Sequence, residues 1–443
     1  MNENKSIKFN NLEYLFGQDS YLNENEAKYI LSELWKIINK NRNIKSDLNI
    51  SFQAISKNKA NDILSAESSI QKSKIFIDKS IKEKHNFFEN FFISLPNFNK
   101  EKITITMIND NNYSFSFDLP FLAFVLLNRL DENFIKKDKF DIHKRPKTKN
   151  LLISRINSIQ KPIIDETCNF LRSLLSNEFS NPFAGEDVLF TQDIDHILYG
   201  DSFFKKIKGI FSDMRYFLVF PLIPLINLKF LIKWTNNISR DIYCKAILNY
   251  SQILRKYGHK GIFFIMLSDK SEYDSGYDVD DSFQKILKKI EADGHEIGLH
   301  PSYNTANDDA LFLEEVKKYK EIFGHTPVHV RYHYLRSLTS DKWILFEKIG
   351  IKYDHSIGFS DSIGYRVGTG MTYTPYNFEA KKPFNVKVVP MTLMDDVLYN
   401  KKIKWLNSLK EHINRSKKSN SKISLLFHNG RLMGSKIFAN FLF

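Results

Sequence analysis

Two aspartates close an apolar, β-prone run, Val188-Leu189-Phe190-Thr191-Gln192-Asp193-Ile194-Asp195-His196. Side chains alternate faces along a strand, so Asp193 and Asp195 point the same way. Paired carboxylates on one face at a strand end suit metal binding or acid–base work. Asp is also common wherever a strand simply turns. Three later runs, 296–300, 328–334 and 424–428, carry His300, His333 and His428 at or near their ends. A lone histidine is more often structural than functional. Four runs delivering carboxylate or imidazole are another matter if the strands are parallel, because parallel strands bring their C-terminal ends to one face.

The surrounding pattern supplies such strands. Residues 261–267 form a continuous apolar run, as in a strand covered on both faces. Helical spacing follows at 281–292, 311–323 and 341–349, each segment leading into another short apolar run, and residues 386–390 and 424–428 read as two further strands. This alternation predicts an α/β fold with a parallel sheet or barrel. The N-terminal part differs. It shows an amphipathic helix over 24–40, a β-hairpin over 103–117 turning at Asn109-Asp110-Asn111-Asn112, and helices over 121–130 and 163–175. The expected organisation is a smaller mixed α+β domain over 1–150, a connecting helix and linker over 151–186, and an α/β barrel over 187–443. The barrel carries a long insertion at about 198–238, and ten of the twelve histidines fall in that half.

The chain has 443 residues, enough for two cores. Its net charge of +13 comes from scattered lysines, with no Arg-rich block and no nucleic-acid module, so the charge reads as solvated surface and nucleic acid is excluded as a partner. Cys168 and Cys244 form no CxxC pair and are expected as buried thiols in a reducing compartment. The N-terminus lacks the apolar core of a signal peptide, and the apolar stretch 216–228 is short for a bilayer span and holds two prolines. The expectation is a cytoplasmic protein with peripheral membrane contact through the insertion. Only fifteen residues follow His428, which leaves little chain to close a barrel behind that strand.

Taken in order, Asp193-Ile194-Asp195, Gly294-His295-Glu296-Ile297-Gly298-Leu299-His300-Pro301, Arg331-Tyr332-His333-Tyr334 and Leu426-Phe427-His428-Asn429 resemble the motifs of the polysaccharide deacetylase superfamily (NodB-homology, carbohydrate esterase 4-like). The fragments Leu127-Asn128-Arg129-Leu130-Asp131-Glu132, Asp141-Ile142-His143-Lys144-Arg145 and Pro162-Ile163-Ile164-Asp165 fit a bacterial subgroup with an extra N-terminal domain. The resemblance implies a distorted (β/α) barrel of the NodB type. It implies one divalent metal ion, with zinc expected, and hydrolysis of an N- or O-acetyl group on a sugar or glycan precursor in surface polysaccharide biosynthesis. It makes Asp193 the base, Arg331 its orienting arginine, Asp195 and His300 metal ligands, His428 the general acid and Asp354 the acid supporting that histidine.

Two departures qualify the match. Where the family pattern has a second metal histidine four residues after the first, this chain has Asn304, a hard and weak ligand. Its third motif reads Arg331-Tyr332-His333-Tyr334 where Arg-x-Pro-Tyr is usual, so His333 is expected to supply the missing imidazole, with Asn304 as the alternative. If neither binds metal, the chain is a non-catalytic carbohydrate-binding or scaffolding member of the fold. A related metal-dependent amide hydrolase is a further alternative. Tyr303, Tyr332, Tyr334 and Tyr365 are candidates to stack on sugar rings, and Arg366, in the glycine-rich run 364–370, is a candidate for an anionic sugar or diphosphate or else a surface charge. That run does not follow a strand and open a helix, so it is not a phosphate loop.

Overall fold

The computed structural model describes residues 5–17, 19–40, 44, 47–77, 94–98, 103–176, 188–198, 241–336, 341–400 and 405–429. The connector before residue 188, the insertion expected over 198–238 beyond Leu198, and the C-terminal tail after Asn429 lie outside the described residues. Two compact units make up the chain: Met1–Asp187 with Ile357–Thr392 and Glu411–Ile423, and Val188–Ser356 with Leu393–Lys410 and Ser424–Phe443.

The first unit is mixed α+β. Its six-stranded sheet runs Ser6–Phe9, Leu12–Leu15, Asn49–Gln53, Asn112–Phe115, Thr104–Asn109, Phe76–Ile77. The helix Glu24–Ile38 starts at a capping box formed by Asn23 and Glu26. It packs on Ile163–Ser176, where Arg172 donates to the carbonyls of Ile37 and Ile38. Residues 357–386 and 411–422 were expected in the barrel but group with this unit. Local periodicity cannot show this, because the ties are long-range. Asp165, wholly buried, accepts hydrogen bonds from Thr369, Gly370 and Ser421. Gly364 packs so closely that a Cβ would lie 2.0 Å from the Ile159 carbonyl oxygen, and its φ of +144° excludes other residues. The glycine-rich run is therefore a packing device. Asp165→Ala should cost about 3 kcal/mol or more, since two hydroxyls and an amide lose a buried acceptor; urea unfolding of the variant measures it.

The second unit holds seven strands of one sheet: β1 (Val188–Ile194), β2 (Gly261–Ile265), β3 (Glu296–Leu299), β4 (His329–Val330), β5 (Tyr353–Asp354), β6 (Leu393–Met394) and β7 (Ile423–His428). Their order is β5-β4-β3-β2-β1-β7-β6. The pairings β1–β2, β2–β3, β3–β4, β4–β5 and β6–β7 are all parallel. The helices Ile242–Lys256, Asp281–Ala292, Asp309–Phe323 and Asp341–Ile349 connect successive strands, capped by Asp241, Asp280 and Asp308 in the first three. Strand β2 is buried at all five positions, as its unbroken apolar run requires. Cys168 and Cys244 are buried free thiols. Among the described residues, no helix is long and apolar enough to cross a membrane.

Candidate active site

Register explains why distant motifs meet. Ile194, Ile265, Leu299, Val330 and Asp354 lie abreast across β1 to β5. The next residue on β1, β3 and β4 is Asp195, His300 and Arg331. The ladder carries on through His300 N–H to the Ile265 carbonyl (2.7 Å) and Arg331 N–H to the Leu299 carbonyl (3.0 Å). On the other side of β1, Asn429 N–H donates to the Asp193 carbonyl (3.2 Å), which sets the end of β7 beside it.

Asp195, His300 and His333 converge so that one ligand atom from each lies within 4.8 Å of the others. Asp195 Oδ1 is 3.4 Å from His300 Nε2 and 3.9 Å from His333 Nε2. Hydrogen bonding fixes the tautomers. His300 Nδ1 faces the Arg331 carbonyl at 2.5 Å, and a carbonyl only accepts, so Nδ1 carries the proton. His333 Nδ1 donates to the Asp274 carboxylate at 2.8 Å in the same way. When neutral, both rings therefore aim Nε2 lone pairs at a carboxylate oxygen. Asp195 Oδ1 and His300 Nε2 are buried with no hydrogen-bond partner among the described residues. Acceptors facing one another in a dry site need a proton or a cation between them. Bonds of about 2.0–2.1 Å in a tetrahedral site would set ligand atoms about 3.3 Å apart, close to what is seen. The donor set, two imidazoles and one carboxylate, is one that zinc uses. The residues present fit a divalent metal.

Charge follows the same logic. Burial alone would raise the Asp195 carboxyl, but the imidazoles of His300, His428 and His333 outweigh it and hold it well below the usual range. Burial opposes protonation of His300, yet Asp193 and Asp195 push its pKa up. Asp193 is gripped from behind by the wholly buried Arg331. Arg331 Nη1 donates to Asp193 Oδ1 and to Thr191 Oγ1, both at 2.8 Å, Nε donates to the His355 carbonyl at 3.2 Å, and the guanidinium lies 4.4 Å over the Phe264 ring. The second oxygen of Asp193 is 3.8 Å from His300 Nε2. His428 Nε2 approaches the other oxygen of Asp195 at 3.9 Å.

Six sequence candidates thus come together: Asp193, Asp195, His300, Arg331, His333 and His428. Others do not. Asp354 was expected to support His428 but is committed elsewhere: its carboxylate accepts from Trp343 Nε1 and Ser356 N–H, both at 2.8 Å, tying β5 to the helix before it. The support comes from Asp395, just past β6, which accepts from His428 Nδ1 (2.7 Å) and His428 N–H (2.8 Å). Burial resists the charge on His428, but Asp395 outweighs it and raises the imidazole pKa well above its ordinary value. The signal for Asp395 was available, an acid pair directly following the strand Leu393–Met394. Asp274 had none, since it stands in an irregular loop. Asn304 is exposed on the turn Tyr303–Ala306, while His333 occupies the cluster.

Tyr303 is buried, with Tyr273 stacked 4.0 Å from its ring centroid and Arg336 at 3.9 Å. Two groups that close cannot share one face, so Tyr303 has no face left for a sugar. Tyr334 is half-buried beside His333, ring centroids 4.5 Å apart, and remains a candidate contact. Tyr332 is buried against Phe312 and Phe346. Tyr365 and Arg366 belong to the first unit, where Arg366 donates to Glu132 (2.8 Å) and to the Gly358 carbonyl (3.0 Å). Burial works against the Glu132 charge, yet Arg129 and Arg366 draw its carboxyl down to about 2. Arg366 is an internal ion-pair partner, not a surface charge. His295 joins β2 to the helix Ile242–Lys256, accepting from Gly261 N–H and donating to the Ser251 carbonyl.

Residues 19–180 match a family of unknown function, DUF7033. No curated protein matches the chain. Among solved structures, the chain is similar to the crystal structure of a Mycobacterium smegmatis protein assigned as a polysaccharide deacetylase, at 15% identity over 59% of this chain and 86% of that one, with a TM-score of 0.37.

Proposed function

We propose that this chain is a metal-dependent hydrolase with a NodB-type barrel, removing an acetyl group from an N- or O-acetylated sugar or glycan precursor for surface polysaccharide. The observation that carries the reading is the pair of buried acceptors, Asp195 Oδ1 and His300 Nε2, unpartnered among the described residues, with His333 completing a ligand set around them. Asp195, His300 and His333 would hold the ion, taken to be zinc. A bound divalent ion would polarise the acyl oxygen and lower the pKa of a coordinated water. Asp193 removes a proton from the attacking water, and the Arg331 guanidinium holds that carboxylate in place. His428, kept protonated by Asp395, returns a proton to the departing amine or alcohol, so acetate and the free sugar leave with protons balanced. Tyr334 offers a ring beside the ligands for the sugar. We place the protein in the cytoplasm, in peripheral contact with the membrane through the 198–238 insertion, where a lipid-linked acceptor would meet it.

The substitution of Asn304 for a family histidine favours one rival, a non-catalytic carbohydrate-binding or scaffolding protein. Metal analysis and acetate release from a panel of N- and O-acetylated sugars decide between them. The proposal expects one divalent ion per chain and acetate release abolished by chelation and restored by Zn²⁺. It further expects His333→Ala to lose the ion while Asn304→Ala keeps it. A purified chain that binds no ion and releases no acetate with added metal is the rival's result. Release from amides other than acetylated sugars would instead indicate a related amide hydrolase.

A further inference from the structure

We infer that the loop 269–277 is a clamp that assembles the metal-ligand set, with Asp274 and Ser275 as its positioning residues; this rests on the reading of Asp195, His300 and His333 as ligands. His333 needs such a clamp. It opens the turn His333–Leu335, in which Tyr334 (φ 57°) and Leu335 (φ 55°) are both left-handed. Each such residue costs on the order of 1–2 kcal/mol when it is not glycine, so the turn persists only where its surroundings hold it.

The loop provides the hold. Asp274 Oδ1 accepts from His333 Nδ1 at 2.8 Å and from Tyr303 N–H at 2.9 Å, so one oxygen joins the imidazole to the turn that follows His300. Ser275 Oγ donates to the carbonyl of Asp195 itself, and Tyr277 Oη donates to the Ile194 carbonyl at 2.7 Å while accepting from Met266 N–H at 2.8 Å. The loop therefore reaches the segment of each of the three ligands. It is also closed on itself. Ser271 Oγ donates to Asp274 Oδ2 at 2.6 Å and accepts from Asp274 N–H at 3.0 Å. Gly276 has φ +56°, and a Cβ there would lie 2.2 Å from the Lys270 amide nitrogen. Carboxylates behind metal-bound imidazoles fix ring orientation and raise ligand basicity, and losing one commonly weakens binding about 10–100-fold. Linkage is reciprocal: a loop that tightens the ion's binding is itself stabilised by the ion to the same extent.

The test is Zn²⁺ affinity of the full chain, measured by chelator competition, for wild type, Asp274→Asn, Ser275→Ala and Asp269→Asn. Asp269 lies on the same loop with its carboxylate fully exposed, so its variant removes the same charge without touching the ligands. We expect Asp274→Asn to weaken binding about 10–100-fold at unchanged stoichiometry, Ser275→Ala to weaken it less, and Asp269→Asn to match wild type. Hydrogen exchange of 268–278 in the wild type should slow when Zn²⁺ is added, a readout that survives if Asp274→Asn does not fold. Equal affinity of Asp274→Asn and Asp269→Asn, or loop exchange indifferent to Zn²⁺, overturns the clamp alone. A wild type that binds no Zn²⁺ overturns the clamp together with the reading it rests on.

Discussion

On the proposed reading, Asp193→Asn should bind Zn²⁺ as the wild type does and lose acetate release by about 10²–10⁴-fold, the usual contribution of a positioned base. Asn preserves the size of the side chain and an oxygen for Arg331 Nη1, but it cannot take a proton from water. The ion would be retained because the proposed ligand set, Asp195 with His300 and His333, does not include Asp193. Stability should also fall. Arg331 is wholly buried, and Asp193 is its carboxylate partner. Removing one member of a buried pair leaves the other charge uncompensated, at a cost of roughly 3–5 kcal/mol. The Thr191 hydroxyl, the His355 carbonyl and the Phe264 ring remain to it, which puts the expected loss toward the lower end. Activity is therefore compared well below the variant's melting temperature, with metal content measured on the same sample. Turnover within tenfold of wild type at full metal occupancy would remove Asp193 from the role of base. Loss of the ion would make Asp193 a ligand instead.

The parts of this site legible in the sequence are those that local pattern controls. In a parallel sheet, residues just past the C-terminal ends of neighbouring strands must approach one another. Recognising the apolar runs that end at Asp193, His300 and His428 was therefore enough to bring those residues together. Arg331 and His333 follow from the same logic on β4, although that strand is only two residues long and His333 depends on a left-handed turn that no periodicity announces. Partners chosen by tertiary packing were not legible. Asp354 and Asp395 are both acids at strand ends, and nothing local says that one faces Trp343 and the other His428. Arg366 stands in a polar, glycine-rich run that suggests a surface loop, yet Glu132, more than two hundred residues away, holds it as an internal ion pair. The interleaving of the two units was hidden for the same reason. Its ties, such as Asp165 to Ser421, join residues whose own neighbourhoods give no sign of the contact.

Asp395→Asn carries the other large effect, and its pH dependence separates charge from shape. In the wild type, Asp395 raises the His428 pKa well above its ordinary value, so the imidazole keeps its proton through neutrality. An activity that needs that proton falls only as the pH climbs past the raised pKa. Asn at 395 keeps an oxygen for Nδ1–H but removes the negative charge, so the His428 pKa drops and the alkaline limb of the profile moves to lower pH. At neutral pH the loss should be roughly 10²-fold, recovering in part as the pH is lowered toward the ordinary histidine value. A bound ion adds its own field, but that field is common to both proteins, so the displacement between the two profiles reports Asp395. Stability gives an independent sign. A histidine whose folded pKa is raised contributes stability that is fully present below its unfolded pKa and is lost as the pH rises through the folded one. The wild type should lose that contribution across the alkaline window, and Asp395→Asn should lack it, so thermal melts from neutral to alkaline pH should converge for the two proteins. Superimposable pH–rate profiles at reduced height would mean that Asp395 only holds the ring in place. Full activity in the variant would remove the pair His428–Asp395 from the chemistry.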